Sequence, residues 1–78
     1  MDKDQIIEAV RTLRDSAVNR KTEQGMLVYT KTLEILAAAK TVEQVEEIRT
    51  KLNHALFGIE AHGYLTKDEF EVVCRLRQ

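Results

Sequence analysis

Apolar residues recur along this chain at intervals of three and four, and no run of four or more alternates with period two. That spacing stacks side chains on one face of a helix, so the pattern predicts helices and no strands. The first helix is expected from Lys3 to about Asn19. Asp2 can cap it, with Gln5 three residues on as the returning partner of a capping box. Ile6, Val10, Leu13 and Ala17 fall on one face, widened by Ile7 and Val18.

The polar stretch Asn19-Arg20-Lys21-Thr22-Glu23 predicts a turn, with Thr22 as the next cap. A continuous longer helix is the alternative, since no residue there forbids it. The second helix is expected from Glu23 to about Lys40. Gly25 costs up to about 1 kcal/mol relative to alanine in a helix interior, and less in a fraying first turn. Thr41 and Gln44 make the capping box of a third helix, whose stripe is Val45, Ile48, Leu52, Ala55, Leu56 and Ile59. Gly63 ends it, because glycine takes the left-handed conformation without a side-chain clash. Tyr64 would then fold back on Ile59. Thr66 and Glu69 make the box of the last helix, with Leu65 and Phe70 at the positions of a hydrophobic staple. Asp68 and Glu69 suit its positive end, Arg75 and Arg77 its negative end. Its apolar side reads Phe70, Val73 and Cys74, flanked by Val72 and Leu76. Short connections favour antiparallel neighbours. The expected fold is all-α, a small antiparallel bundle of three to four helices forming one domain over residues 1–78.

The second helix is unusual. At 100° per residue, Met26, Tyr29, Leu33, Leu36 and Ala37 form one face. Val28, Ile35 and Ala39 lie nearly opposite, with Thr32 among them, at the four-three-four spacing of a coiled-coil-like seam. Lys31 and Glu34 occupy a narrow strip between. In the favoured account both faces pack on sister helices, as buried helices are apolar all round. In the other account one face stays exposed and binds a partner or a second copy. Phe57 also lies off the stripe of the third helix, among Glu46, Thr50, Asn53 and His54. An aromatic on a polar side can anchor a partner, or it can cover the end of a neighbouring helix. Val28, Ile35, Ala39 and Phe57 are therefore the candidate partner-binding residues.

Composition narrows the function classes. A chain of 78 residues buries only about 60% of the surface its unfolded form exposes, so its stability is marginal. Cys74 is the single cysteine, which excludes an internal disulfide and fits a reducing compartment. Twelve basic residues against 13 acidic give a formal net charge of -1, with both signs scattered. A nucleic-acid binder usually carries a basic stripe. No apolar run approaches the roughly 20 residues that span a bilayer. The start Met1-Asp2-Lys3-Asp4 lacks a signal-peptide core. A cytoplasmic location is expected.

Candidate chemistry is thin. His54 and His62, eight residues apart, would sit about 12 Å apart along a helix, too far for one ion. The segment His62–Phe70 resembles the second half of an EF-hand calcium loop. In that loop Gly58, Glu60 and His62 would take the first, third and fifth positions, where oxygen ligands are required and only Glu60 could serve. The helix cap and capping box account for the same residues without a metal. A helix-turn-helix reading of the last two helices puts Asp68, Glu69 and Glu71 toward phosphates, which repels. Arg11, Arg14 and Lys21 share a side only if the first helix continues. Cys74 with a histidine is the one nucleophile and base pairing available, and a lone cysteine on an apolar helix side usually packs. No glycine-rich phosphate loop is present.

The expectation is a non-enzymatic protein with no cofactor, metal or catalytic set. It would act by contact as a small regulator, adaptor or inhibitor of a larger protein, or as a homodimer. The alternative is a nucleic-acid-binding helical protein, which the balanced charge disfavours. In size, methionine start and mixed charge the whole chain is similar to short helical proteins encoded by bacteria and their phages. That likeness rests on no motif, and it implies a phage-encoded modulator of a host machine as a further alternative.

Overall fold

Reciprocal side-chain caps fix three of the four helix starts in the computed structural model, which describes residues 2–63 and 65–78. The helices are α1 (Lys3–Arg20), α2 (Glu23–Ala38), α3 (Val42–Ala61) and α4 (Lys67–Arg77). Asp2 and Gln5, Thr41 and Gln44, and Thr66 and Glu69 each form the expected box. Each box satisfies two backbone donors that a helix start otherwise leaves open.

α1 ends by a left-handed turn. Lys21 sits at φ 57° and ψ 38°. Its N–H donates to the Val18 carbonyl at 3.2 Å, and the Thr22 N–H donates to Ala17 at 3.0 Å. These are the paired bonds of a Schellman motif, made here without glycine. α1 and α2 are thus separate helices, and the continuous alternative is excluded. The break also removes Lys21 from the side shared by Arg11 and Arg14. Those two arginines pair with Glu8 and Asp15 on their own helix. Gly63, at φ +72°, closes α3 as expected. The fold-back of Tyr64 on Ile59 lies outside the described residues.

Gly25 has a packing reason to be glycine. A Cβ there would come within 3.3 Å of both the Ala17 Cβ and the Tyr29 ring. Its bare backbone lets the first turn of α2 settle against α1.

α1 packs on α2, α3 and α4. α3 packs on α2 and α4, while α2 and α4 stand diagonally with no close backbone approach. Ile6, Val10 and Leu13 of α1, Leu36 of α2, Leu52 and Leu56 of α3 and Val73 and Leu76 of α4 share one buried core. Cross-links hold the ends. Lys3 Nζ donates to the Ala39 carbonyl at 2.8 Å. Arg49 Nε and Asn53 Nδ2 donate to the Leu76 carbonyl at 2.7 and 3.1 Å. Each places a donor where a helix end leaves carbonyls without internal partners. Among the described residues no helix is long and apolar enough to cross a membrane.

Two helices bury a different line from the one their hydropathy predicts. In α2 the buried residues are Gly25, Tyr29, Thr32 and Leu36, continued by Ala39. That seam runs between the two apolar faces. Met26 and Leu33 flank it on one side and Val28 on the other, all partly buried. Ala37 is exposed. The seam is possible because Thr32 turns its hydroxyl onto the Val28 carbonyl at 2.7 Å, so a polar residue enters the core satisfied. In α4 the buried line is Glu69, Val72, Val73 and Leu76. Phe70 is displaced to the surface and Cys74 is half-buried.

Candidate protein-contact surface

Rotation of α2 about its buried seam leaves an apolar groove open between α2 and α3. Leu27, Val28 and Ile35 form one wall, and Ile48 and Ala55 the other. The groove encloses about 370 Å³, and its charged lining residues are Lys31 and Lys51. Leu27 is 72% exposed and Ile35 is 44% exposed. Both sit on a regular helix, so their positions are set by backbone hydrogen bonds rather than by a loop.

The four sequence-predicted partner residues do not form one patch. Val28 and Ile35 line the groove together. Ala39 caps the end of α2 and is buried in the core, so it presents no side chain to a partner. Phe57 is 55% exposed but belongs to another face. It follows Ile48 by nine residues, two and a half turns, and so points from the opposite side of α3. There the guanidinium of Arg77 lies over its ring, 4.3 Å from the centroid. Arg77 also donates to Glu60 Oε2 at 2.6 Å. Phe57 thus covers the end of α4, one of the two roles its position allowed.

Leu27 was missed by the periodicity, because it belongs to neither apolar face of α2. The available signal was a leucine four residues before Lys31 on the same side, where a solvated strip has no use for it. Val42, 78% exposed in the first turn of α3, is a second exposed aliphatic outside any stripe.

A second cleft, about 230 Å³, is lined by Thr22, Gly25, Tyr29, Ile59 and Glu69. Its buried carboxylate is already engaged. Glu69 is 4% exposed, accepts the Thr66 N–H at 2.8 Å, and accepts a hydrogen bond from Arg20 at the end of α1. Tyr29 is 1% exposed. Burial, reinforced by the Glu69 carboxylate and partly opposed by Arg20, pushes its phenol up to about 12. The phenol therefore stays protonated at neutral pH, and the carboxylate is committed to a cap and an ion pair. No group of three or more His, Cys, Asp or Glu able to hold a metal occurs among the described residues. The α2–α3 groove, by contrast, presents an apolar surface with a charged rim.

Comparison with protein-family models, with curated proteins and with solved structures returned no match.

Proposed function

We propose that this chain is a non-enzymatic protein-interaction module of the cytoplasm, acting as a small regulator, adaptor or inhibitor through the α2–α3 face. The observation that carries the reading is the exposed pair Leu27 and Ile35 beside an unfilled apolar groove. Exposing two large aliphatics on a regular helix forgoes about half or more of the roughly 1.5–3 kcal/mol that full burial of each contributes. A 78-residue chain has little stability to forgo. Contact with another protein recovers that burial. The single free cysteine supports the reducing location.

The test is affinity capture from the source cell with a tagged wild-type chain and with Leu27→Glu and Ile35→Glu variants. Both positions are exposed, so far-UV circular dichroism should show an unchanged helical fold. The expected result is a protein recovered by wild type and lost with both variants. Identical recovery by all three chains would overturn the reading.

A further inference from the structure

We infer that the occupant of this face is a second copy of the same chain, packed antiparallel along α2. The inference rests on the reading of the α2–α3 face as a protein-contact surface and names what covers it.

The outermost strip of α2 is Leu27, Lys31, Glu34 and Ala38, all exposed. Their spacing is four, three, four, which keeps a strip facing one neighbouring helix. Among the described residues Lys31 and Glu34 enter no ion pair within the chain. Both charges are available to a partner.

The strip is complementary to its own reverse. A two-fold axis running beside the exposed strip of α2, level with the midpoint of Thr32 and Leu33, brings each residue opposite one whose number completes the sum to 65. Lys31 then faces Glu34 of the second copy, and Glu34 faces its Lys31, giving two equivalent ion pairs. Leu27 lies over the small Ala38 of the other copy at each end, where a larger residue would hold the helices apart. On the groove side, Val28 falls within one helical turn of the second copy's Ile35, and the reverse. A two-fold interface requires a patch that matches itself in this way. In parallel alignment Lys31 would meet Lys31 and Glu34 would meet Glu34, so the charges select the antiparallel order. The arrangement covers the large aliphatics that α2 leaves open: Leu27, Ile35 and the exposed edge of Val28. A larger target protein would have to displace the second copy or dock on another face.

Sedimentation across a concentration series tests the inference. Wild type is expected to shift from monomer to dimer. Lys31→Glu or Glu34→Lys replaces both attractive pairs with repulsive ones. Exposed pairs of this kind are worth a few tenths of a kcal/mol each, so either variant should weaken association by roughly tenfold. The double reversal Lys31→Glu/Glu34→Lys should return the wild-type behaviour. An equimolar mixture of the two single variants should associate more strongly than either alone, because the mixed pair restores both contacts. A wild-type chain that stays monomeric, or a mixture no better than its components, overturns the inference. An acidic protein partner instead of a second copy would show as lost capture with Lys31→Glu and retained capture with Glu34→Lys. Either failure leaves the contact reading standing on the Leu27 and Ile35 captures, so the two can fail separately.

Discussion

Raising the pH should dissolve a defined part of this protein's stability through one side chain. Tyr29 packs at the centre of the α2 seam, almost wholly excluded from water. An unfolded tyrosine ionises near 10. In the fold, burial and the Glu69 carboxylate displace Tyr29 to about 12. Its folded form therefore holds the proton more tightly than the unfolded chain does. Stability from this source is complete below about pH 10 and is lost as pH rises through about 12. A displacement of about two units corresponds to about 3 kcal/mol. A chain of this size is held by about 4–12 kcal/mol in total, so the loss is a large share. Urea denaturation of wild type and Tyr29→Phe, followed by circular dichroism at intervals from neutral pH to pH 12, isolates the effect. Lysine neutralisation and the other tyrosine, Tyr64, act on both chains and cancel in the difference. The stability of wild type relative to Tyr29→Phe should stay constant to about pH 10 and then fall, by about 2 kcal/mol at pH 12. In parallel, Glu69→Gln should lower the pH at which Tyr29 ionises, since one of the two raising causes is gone. A wild-type-minus-phenylalanine difference that stays flat across the window would refute the argument. So would a Tyr29 absorbance transition near 10 in the folded protein.

Other expectations follow from the same geometry. The Arg20–Glu69 pair is unequal, because the Glu69 side chain is buried and that of Arg20 is about a third exposed. Arg20→Met strands a buried carboxylate and should cost about 3 kcal/mol, whereas Glu69→Gln keeps an acceptor for the Thr66 N–H and should cost about 1–2 kcal/mol. Equal losses in urea titrations would contradict that asymmetry. Gly58 faces open space within α3 while Gly25 is crowded by Ala17 and Tyr29. Gly58→Ala should therefore stabilise by about 0.5–1 kcal/mol, and Gly25→Ala should gain less or lose, because crowding consumes the helix-propensity gain. Thermal midpoints in the reverse order would count against the close approach of α2 to α1.

What could be read from the chain was whatever its local chemistry decides. Asp2 with Gln5, Thr41 with Gln44 and Thr66 with Glu69 mark their helix starts because a cap joins residues three apart and needs no tertiary neighbour. Gly63 marks the end of α3 for the same reason. The separation of α1 from α2 was only half legible, because Lys21 adopts a left-handed backbone that glycine or asparagine usually signals. Rotation of a helix about its own axis is different, because neighbours set it. Hydropathy alone gives no reason to bury Thr32 or Glu69, since both are polar. Each enters the core only because a partner takes up its polar atoms: the Val28 carbonyl for Thr32, and Thr66 with Arg20 for Glu69.

That rotation also decides the candidate surface. Turning α2 onto Thr32 carries Ala39 inward with the seam and Leu27 outward, so one predicted contact residue leaves the surface and an unpredicted one joins it. The same turn leaves Lys31 and Glu34 at the centre of the exposed strip, with Leu27 and Ala38 at its ends. Thr32 lies about 160° around α2 from Glu34 and about 100° from Lys31, so burying Thr32 holds both charges outward. The outward placement of the strip is therefore tied to the burial of Thr32, while its self-complementary order is written in the sequence. Thr32→Val should keep the seam inward, because it supplies the same shape without a hydroxyl to satisfy. Thr32→Lys should turn α2 outward, losing the core packing and the strip together.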